Sequence, residues 1–417
     1  MKLLALKRKI SSQKIININY LNLFSFLSPS KINIKNNLKA IFNLKNDVIL
    51  LGRARTGIYL LVKYFLKNNK NKKVLISPYT IPAVINLIKL AGGKVIFVDS
   101  EPNSTFMNII QLKKIVRKNK PSVIILTHYS IVERNYYKIY QLCRKKNIKL
   151  IEDSAISPIG ISNKKSINNY SDGSIFSFSS FKLINYFYGG ALRCNDLQTY
   201  NKILREVSNW KKLNLINYLP QIIKTLIFQL LTSNFIYNFF TFNHLKRKII
   251  NSENRNDKIY FSKKDLKKDN TYFSRPSDGC LKEINSKSRN FKYEIQHRRN
   301  ISKVYFTYLK NLSVPRDINM SEIRNSSCYN YLISVRNANY IRKNLFINGY
   351  SVGKTFYENC NNFKDFKSYK VKTTNLDNLI NQLIILPTHK NISKNYAKKL
   401  SLQIIQIIKS NDYKRLK

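Results

Sequence analysis

The sequence predicts an α/β protein with a large domain, built on a mostly parallel sheet flanked by helices, and a smaller C-terminal α/β domain. From about residue 48, short apolar runs alternate with amphipathic segments, which is typical of β–α–β units around a parallel sheet. An apolar helical segment interrupts the alternation at residues 213–243, and a similar pattern begins again near residue 283. A chain of 417 residues with 43% hydrophobic content also exceeds one typical core. We therefore expect two domains separated by an insertion.

Each element of the large domain is predicted from its own run of residues. Strands are predicted within residues 47–52, 72–79, 94–100, 121–130, 148–155, 173–180 and 189–196. Helices are predicted at residues 56–68, 81–92, 107–119 and 134–147. Open α/β sheets bind ligands at the carboxyl ends of their strands. Because His128, Asp153 and Lys182 all follow predicted strands, we expect a site at that edge.

The other segments set the expected domain boundaries. These are an N-terminal arm (1–47), a large domain (48–212), a helical insertion with a polar linker (213–271) and a small domain (272–417). In the small domain, one long helix is predicted over residues 283–312 and a strand over 327–335. Further helices are predicted at residues 338–350 and 401–410.

The net charge of +52 first suggests a nucleic-acid-binding protein. A nucleic-acid-binding domain concentrates Lys and Arg on one face, whereas here lysines are spread along the chain with equally abundant Asn and Ile. All three residue types have AT-rich codons, so we attribute the charge to genome composition and expect no specific nucleic-acid partner. Anionic nucleotides and acidic membrane surfaces remain plausible partners.

The five cysteines form no CxxC pair, so neither a metal site nor a disulfide framework is indicated. This cysteine pattern predicts a reducing, cytoplasmic location. The N-terminus lacks the sustained apolar core of a signal peptide, so we expect none.

Residues 213–243 carry a helical stripe of apolar pairs that is interrupted by polar residues such as Lys224 and Asn234. The segment is too polar for a membrane span. One interpretation is an insertion that packs on its own domain or on a partner subunit. The other is an interfacial membrane helix, which the basic flank at residues 244–250 supports. Of the two, the sequence favours the packed insertion.

Lys182 is the one charged residue in the apolar, aromatic run FSFSSFKLINYFYGG, residues 176–190. A buried lysine loses solvation, which lowers its pKa and makes its free amine available as a nucleophile toward a carbonyl group. Asp153, at the end of the strand KLIED, can pair with a protonated pyridine nitrogen. Taken singly, such residues are more often a solvated lysine and a helix cap.

The turn GRARTGIY, residues 52–59, leads into a predicted helix. Backbone N–H groups at Thr56 and Gly57, with the Thr56 hydroxyl, could hold a phosphate at the positive helix end. Ser177, five residues before Lys182, could add a second hydroxyl.

Together these motifs resemble the DegT/StrS family of nucleotide-sugar aminotransferases, which use pyridoxal 5'-phosphate and have the fold type I architecture. GRARTGIYLL, ILTHYS, IEDSA, FSFSSFK and GGAL occur in the family's order, followed by SRPSDGCLKEI and IILPTHKNIS. The resemblance runs from about residue 48 to the C-terminus, with residues 200–270 matching poorly.

The resemblance implies a role for each matching residue. Lys182 would hold the cofactor and move protons, and Asp153 would pair with the pyridine nitrogen. Thr56, Gly57 and Ser177 would bind the phosphate, while Ala155 and Ile81 would contact the cofactor. His128 and Arg275 would lie near the substrate, although a histidine hydrogen-bonded to a neighbouring loop is an equal interpretation of His128. A homodimer is also implied.

The implied reaction transfers an amino group, usually from glutamate, to a keto group of a nucleotide-linked sugar for surface polysaccharide or glycoconjugate synthesis. Two positions depart from the family: Ile81 stands where an aromatic is common, and Ile156 where Gln is common. Two alternatives therefore remain open: a cofactor-bound regulatory or scaffold protein, and another reaction on a related sugar, such as dehydration. Lys182 argues against dehydration, because a histidine replaces the lysine in that subgroup.

Overall fold

The computed structural model describes residues 34–162, 165–251, 271–355, 357–369 and 371–410. Most of the predicted linker, residues 252–270, and most of the predicted N-terminal arm lie outside these ranges. Residues 34–47 of the arm do lie within them, and Phe42 there stacks on Phe176 of the sheet with ring centroids 4.5 Å apart. That part of the arm is thus packed into the large-domain core.

The strands are β1 (Val48–Leu51), β2 (Lys73–Ile76), β3 (Tyr79–Thr80), β4 (Lys94–Phe97), β5 (Val123–Thr127), β6 (Lys149–Asp153), β7 (Ile161–Ser162), β8 (Lys165–Ser166), β9 (Gly173–Ser177), β10 (Gly190–Cys194), β11 (Lys211–Lys212), β12 (Ser274–Arg275), β13 (Asn330–Ser334), β14 (Glu358–Asn359) and β15 (Leu383–Pro387).

The α-helices are α1 (Ile34–Phe42), α2 (Ala54–Leu66), α3 (Pro82–Leu90), α4 (Ile109–Asn119), α5 (Tyr136–Lys145), α6 (Leu197–Ser208), α7 (Leu215–Leu231), α8 (Asn234–Ile236), α9 (Phe242–Asn251), α10 (Asp278–Ser288), α11 (Phe291–Leu309), α12 (Met320–Arg324), α13 (Ala338–Ile347), α14 (Thr374–Ile380) and α15 (Lys394–Lys409). A π-helical turn, Tyr237–Thr241, joins α8 to α9.

The central sheet has seven strands in the order β1-β10-β9-β6-β5-β2-β4. β10 runs antiparallel to both of its neighbours, and the other strands are parallel to one another. These strands have apolar runs because helices cover both faces of a parallel sheet. The carboxyl ends of β1, β2, β5, β6 and β9 consequently lie at one edge, as the alternation of predicted elements indicated.

Helix α2 packs closely across the sheet where β10 begins. A Cβ atom on Gly190 would lie 2.4 Å from the Ala54 Cα, and Gly189 has a φ of +124°. Only glycine meets both demands, a close backbone approach at one position and positive φ at the other. This pair brings the start of α2 next to the loop that carries Lys182.

The small domain is built on the antiparallel pair β13 and β15, with Tyr331 opposite Leu386. Helices α11 and α15 pack together over a core that includes Tyr305, Ile384 and Leu400. A further short pairing, β14 with β3, joins the C-terminal half of the chain to the edge of the large domain.

The prediction of one helix over residues 283–312 is wrong. Two helices, α10 and α11, meet at residues 289–290. The Ser288 hydroxyl donates to the Asn285 carbonyl, and the Arg289 N–H bonds the Ser286 carbonyl instead. Local side-chain bonds of this kind compete with helix continuation. The closing helix also begins earlier than predicted, at Lys394.

Candidate active site

A cavity of about 570 Å³, which includes space open to solvent, lies at the carboxyl edge of the central sheet. Its lining comes from the segments after β1 and β3, from Thr80 of β3, from the ends of β6 and β9 with the residues that follow them, from the residue before β10 and from one residue of the C-terminal half. The residues that form it are Arg53, Ala54, Arg55, Ile58, Thr80, Ile81, Val84, Asp153, Ala155, Ile175, Ser177, Ser179, Lys182, Gly189 and Tyr357. The cavity lies where the parallel strands predicted a site.

Lys182 lies in the loop between β9 and β10. Its N–H donates to the Ser179 carbonyl at 3.0 Å, and the Tyr186 N–H donates to the Phe178 carbonyl at 2.6 Å, so the loop is held by its own backbone. Burial lowers the pKa of the Lys182 amine to about 8. The Asp153 carboxylate acts to raise this pKa, and the Arg55 cation acts to lower it further. A tenth or so of the amine is therefore unprotonated at pH 7.

Asp153 ends β6, and its side chain is buried. Its Oδ1 accepts the Ala155 N–H at 3.1 Å. Burial raises the pKa of this carboxyl, whereas the Ala155 N–H, Lys182 and Arg55 act to lower it. A buried carboxylate with these cationic neighbours is suited to holding a positive partner inside the cavity.

Two arginines at the start of α2 also face the cavity. The Arg53 Nε donates to the Thr271 hydroxyl at 2.6 Å, and an Arg55 guanidinium nitrogen donates to the Tyr272 hydroxyl at 3.1 Å. The Gly52 N–H donates to the Ser274 carbonyl at 2.8 Å. Residues 271–274 thus hold the turn in place, so that the helix start and two cations meet at one end of the cavity, an arrangement that attracts an anion.

The structure brings five of the predicted site residues together in the cavity wall: Lys182, Asp153, Ala155, Ser177 and Ile81. The Ser177 hydroxyl lies 3.3 Å from that of Ser179.

Thr56, Gly57 and Arg275 are not among the residues that line the cavity. The Thr56 hydroxyl donates to the Tyr272 carbonyl at 2.7 Å, and a Cβ on Gly57 would meet Ile175 at 2.6 Å. The Arg275 Nε donates to the Trp210 carbonyl at 3.0 Å. Their roles toward a cofactor or substrate stay predictions.

His128 is fully buried beside the cavity region rather than in its wall. Its Nδ1 accepts the Glu133 N–H at 3.5 Å, so a proton belongs on Nε2. Burial lowers the imidazole pKa to about 3. This geometry favours the interpretation of His128 as a residue that holds a neighbouring loop.

Sequence reasoning did not assign Arg53, Arg55, Ser179 or Tyr357 to the site. A signal existed for the arginines, because side chains at the first positions of a helix that follows a strand lie at the carboxyl edge of the sheet. No local signal marked Tyr357. The pairing of β14 with β3, in which Glu358 lies opposite Thr80, brings it to the cavity.

Comparison with known proteins agrees with this arrangement. Residues 38–210, which include the sheet and most of the cavity wall, match the model of the DegT/DnrJ/EryC1/StrS aminotransferase family. Over these residues the chain is similar to this family.

Two curated members illustrate the relationship. The chain is 30% identical over 156 residues to UDP-4-amino-4,6-dideoxy-N-acetyl-beta-L-altrosamine transaminase of Campylobacter jejuni, an alignment that covers 37% of this chain and 41% of that protein. It is 28% identical over 136 residues to GDP-perosamine synthase of Escherichia coli O157:H7, covering 33% and 37%. The chain therefore spans about two fifths of the length of the curated relatives it matches.

Solved structures show that the similarity of fold extends well beyond residues 38–210. The Helicobacter pylori PseC aminotransferase, which is involved in the biosynthesis of pseudoaminic acid, superimposes with a TM-score of 0.70 over 95% of this chain and 98% of its own, at 14% identity. A DegT DnrJ EryC1 StrS aminotransferase from Brucella abortus superimposes with a TM-score of 0.68 over 94% and 96%, at 18% identity. The chain has the fold type I architecture.

Proposed function

We propose that this protein is an aminotransferase that uses pyridoxal 5'-phosphate to transfer an amino group, supplied by glutamate, to a keto group of a nucleotide-linked sugar. The observation that carries the proposal is Lys182, an amine with a lowered pKa, in the same cavity as the buried carboxyl of Asp153. The family model that matches residues 38–210 and the names of the relatives support the same activity.

The donor set of the cavity fits this cofactor. Arg53 and Arg55 at the start of α2, with the hydroxyls of Ser177 and Ser179, suit a phosphate group. Asp153 suits a protonated pyridine nitrogen, and Ile81 and Ile175 supply an apolar wall. The cavity has no aromatic at position 81, but Tyr357 lines it from the C-terminal half. When bound, the cofactor would supply an electron sink that carries the amino group between donor and acceptor.

Lys182 would act at its Nζ atom. Because the pKa of this amine is about 8, it can both accept and return a proton near neutral pH, which is the requirement for general acid–base catalysis. Asp153 would keep its negative charge by pairing with a cation in the cavity. Arg55 would lower the Lys182 pKa while contributing positive charge for an anionic group.

We further propose that the protein works as a homodimer in the cytoplasm and contributes to surface polysaccharide or glycoconjugate synthesis. Fold type I enzymes normally complete their sites with residues from two subunits, which is the ground for proposing a homodimer. The strongly basic surface would favour the anionic diphosphate of a nucleotide sugar.

The test is the near-visible absorbance of the protein with added pyridoxal phosphate, compared with Lys182→Ala. We expect a band in the wild type that borohydride converts into a stable modification of the peptide containing Lys182. Addition of glutamate should bleach the band, and a nucleotide-linked keto sugar should restore it. A band that glutamate leaves unchanged would support the regulatory alternative, and the absence of a band would refute cofactor binding.

A further inference from the structure

Helix α7 is apolar on two opposite faces. One face carries Tyr218, Ile222 and Thr225, which are buried against the large domain. The other face carries large apolar side chains with exposed fractions of 42–70%, and with the aromatic turn that follows it forms what we call the outer apolar face: Ile216, Leu219, Ile223, Ile227, Leu230, Phe235, Phe239 and Phe240.

The spacing of these residues makes the outer apolar face continuous along the helix. The five positions on α7 recur every three or four residues, so they form one stripe about 21 Å long. The Thr241 hydroxyl donates to the Leu231 carbonyl at 2.7 Å, which holds the phenylalanine turn against the end of α7. A surface of this size rarely stays in contact with water and marks an interaction site.

The charge around the outer apolar face indicates what covers it. Between residues 213 and 252 the sequence contains no Asp or Glu, and its charged residues are all cationic: Lys224, Lys246, Arg247 and Lys248. Lys212, just before α7, is paired with Asp278 at 2.5 Å. A second copy of the chain on this face would bring like charges together, which disfavours that contact. An apolar stripe flanked by cations matches the headgroup region of an anionic bilayer.

We propose that the outer apolar face docks on anionic membrane surfaces, with α7 lying in the plane of the interface. No helix in the described ranges is long and apolar enough to cross a bilayer, so docking would be peripheral. Of the two interpretations that the sequence left open, the exposed stripe favours the interfacial helix.

The docking helix also contacts the loop that carries Lys182. The Gln221 amide donates to the Ser180 hydroxyl at 3.0 Å, and the rings of Phe228 and Phe181 lie 6.4 Å apart, edge to face. Membrane docking would therefore place the loop beside the candidate active site near the bilayer.

The test is flotation of the full chain with vesicles of phosphatidylcholine alone or mixed with phosphatidylglycerol. We expect flotation with the anionic vesicles only, weakened by salt. The variant Ile223→Ser/Ile227→Ser/Leu230→Ser should bind at least tenfold more weakly. The matched control is Ile110→Ser/Leu197→Ser/Leu402→Ser, three residues that are exposed elsewhere by 66%, 69% and 46%, and it should bind as the wild type does.

A second arm tests the charges. Lys246→Glu/Arg247→Glu should weaken binding to anionic vesicles and leave the folding of the large domain unchanged. Equal flotation of the wild type and the triple α7 variant would overturn the proposal.

Two other results would also overturn the proposal, because each would show that something other than a membrane covers the outer apolar face. If sedimentation shows that the α7 variant is monomeric while the control is dimeric, and neither floats, the face is an interface between copies. If only a chain lacking residues 1–33 floats, that segment covers the face in the full protein.

Discussion

The reactivity of Lys182 gives the most direct test of the site. Burial lowers its amine pKa from 10.5 to about 8. At pH 7 this raises the unprotonated fraction from roughly 0.03% to roughly 10%, so Lys182 should react about 300-fold faster with an amine-directed reagent than the same group would in water.

The assay is competitive acetylation of the cofactor-free protein between pH 6 and 11, with the Lys182 peptide quantified by mass spectrometry. Exposed Lys224 on α7 provides an internal reference for the reagent. Two variants should move the midpoint in opposite directions. Asp153→Asn should lower it, because the carboxylate favours the ammonium form, and Arg55→Gln should raise it, because the guanidinium disfavours that form.

The same pKa predicts a pH dependence of stability. The unfolded chain binds one more proton than the folded chain between pH 8 and 10.5, so the stability of the wild type should rise with pH through that window relative to Lys182→Met. The full difference is about 3 kcal/mol. A labelling midpoint near 10.5, or parallel stability curves for the two proteins, would refute the reasoning that Lys182 is desolvated.

Three further predictions concern residues around the site. Because the His128 pKa is about 3, its imidazole NMR signals should not titrate between pH 5 and 8, and a midpoint near 6.5 would contradict its burial. Burial raises the Glu133 pKa from 4.5 to about 8, so the free energy of unfolding should fall as pH rises through that range. Urea unfolding at pH 5 and at pH 8.5 should therefore show a smaller loss of stability for Glu133→Gln than for the wild type. Gly190→Ala should lose about 2–3 kcal/mol of unfolding free energy because its Cβ would clash with Ala54. The control Gly92→Ala has open space around its Cβ but a positive φ, and it should lose about 1 kcal/mol. Equal losses for the two variants would contradict the clash at position 190.

Much of the large domain could be predicted because its signals are local. A parallel sheet buried on both faces requires apolar strands, so the runs that became β1, β2, β4, β5, β6, β9 and β10 were visible as periodicity. Parallel strands end at one edge of the sheet, so the positions of Asp153, Ser177 and Lys182 at or after the ends of their strands predicted that they share one site. All three line the same cavity.

The small domain was less predictable. At the break between α10 and α11, the Ser288 hydroxyl donates to the Asn285 carbonyl. This hydrogen bond leaves no trace in the apolar periodicity of the sequence, so the break could not be predicted from it. The strand β15 was not predicted, because its role as the partner of β13 depends on pairing between segments more than 40 residues apart.

The sequence by itself determined the order of the elements, the chemistry available at the sheet edge and the resemblance that its motifs carry, since each depends on neighbouring residues. Only the tertiary structure decided which groups face the cavity. Arg55 rather than the Thr56 hydroxyl faces it, because Tyr272 binds that hydroxyl, and Tyr357 reaches it through the pairing of β14 with β3. The structure also decided that α7 keeps one apolar face buried and the other exposed. The pKa of Lys182 depends on its burial and on charges from other segments, and the exposed face of α7 depends on which residues the large domain covers. Both are set by contacts between residues far apart in the chain, which the local sequence does not reveal.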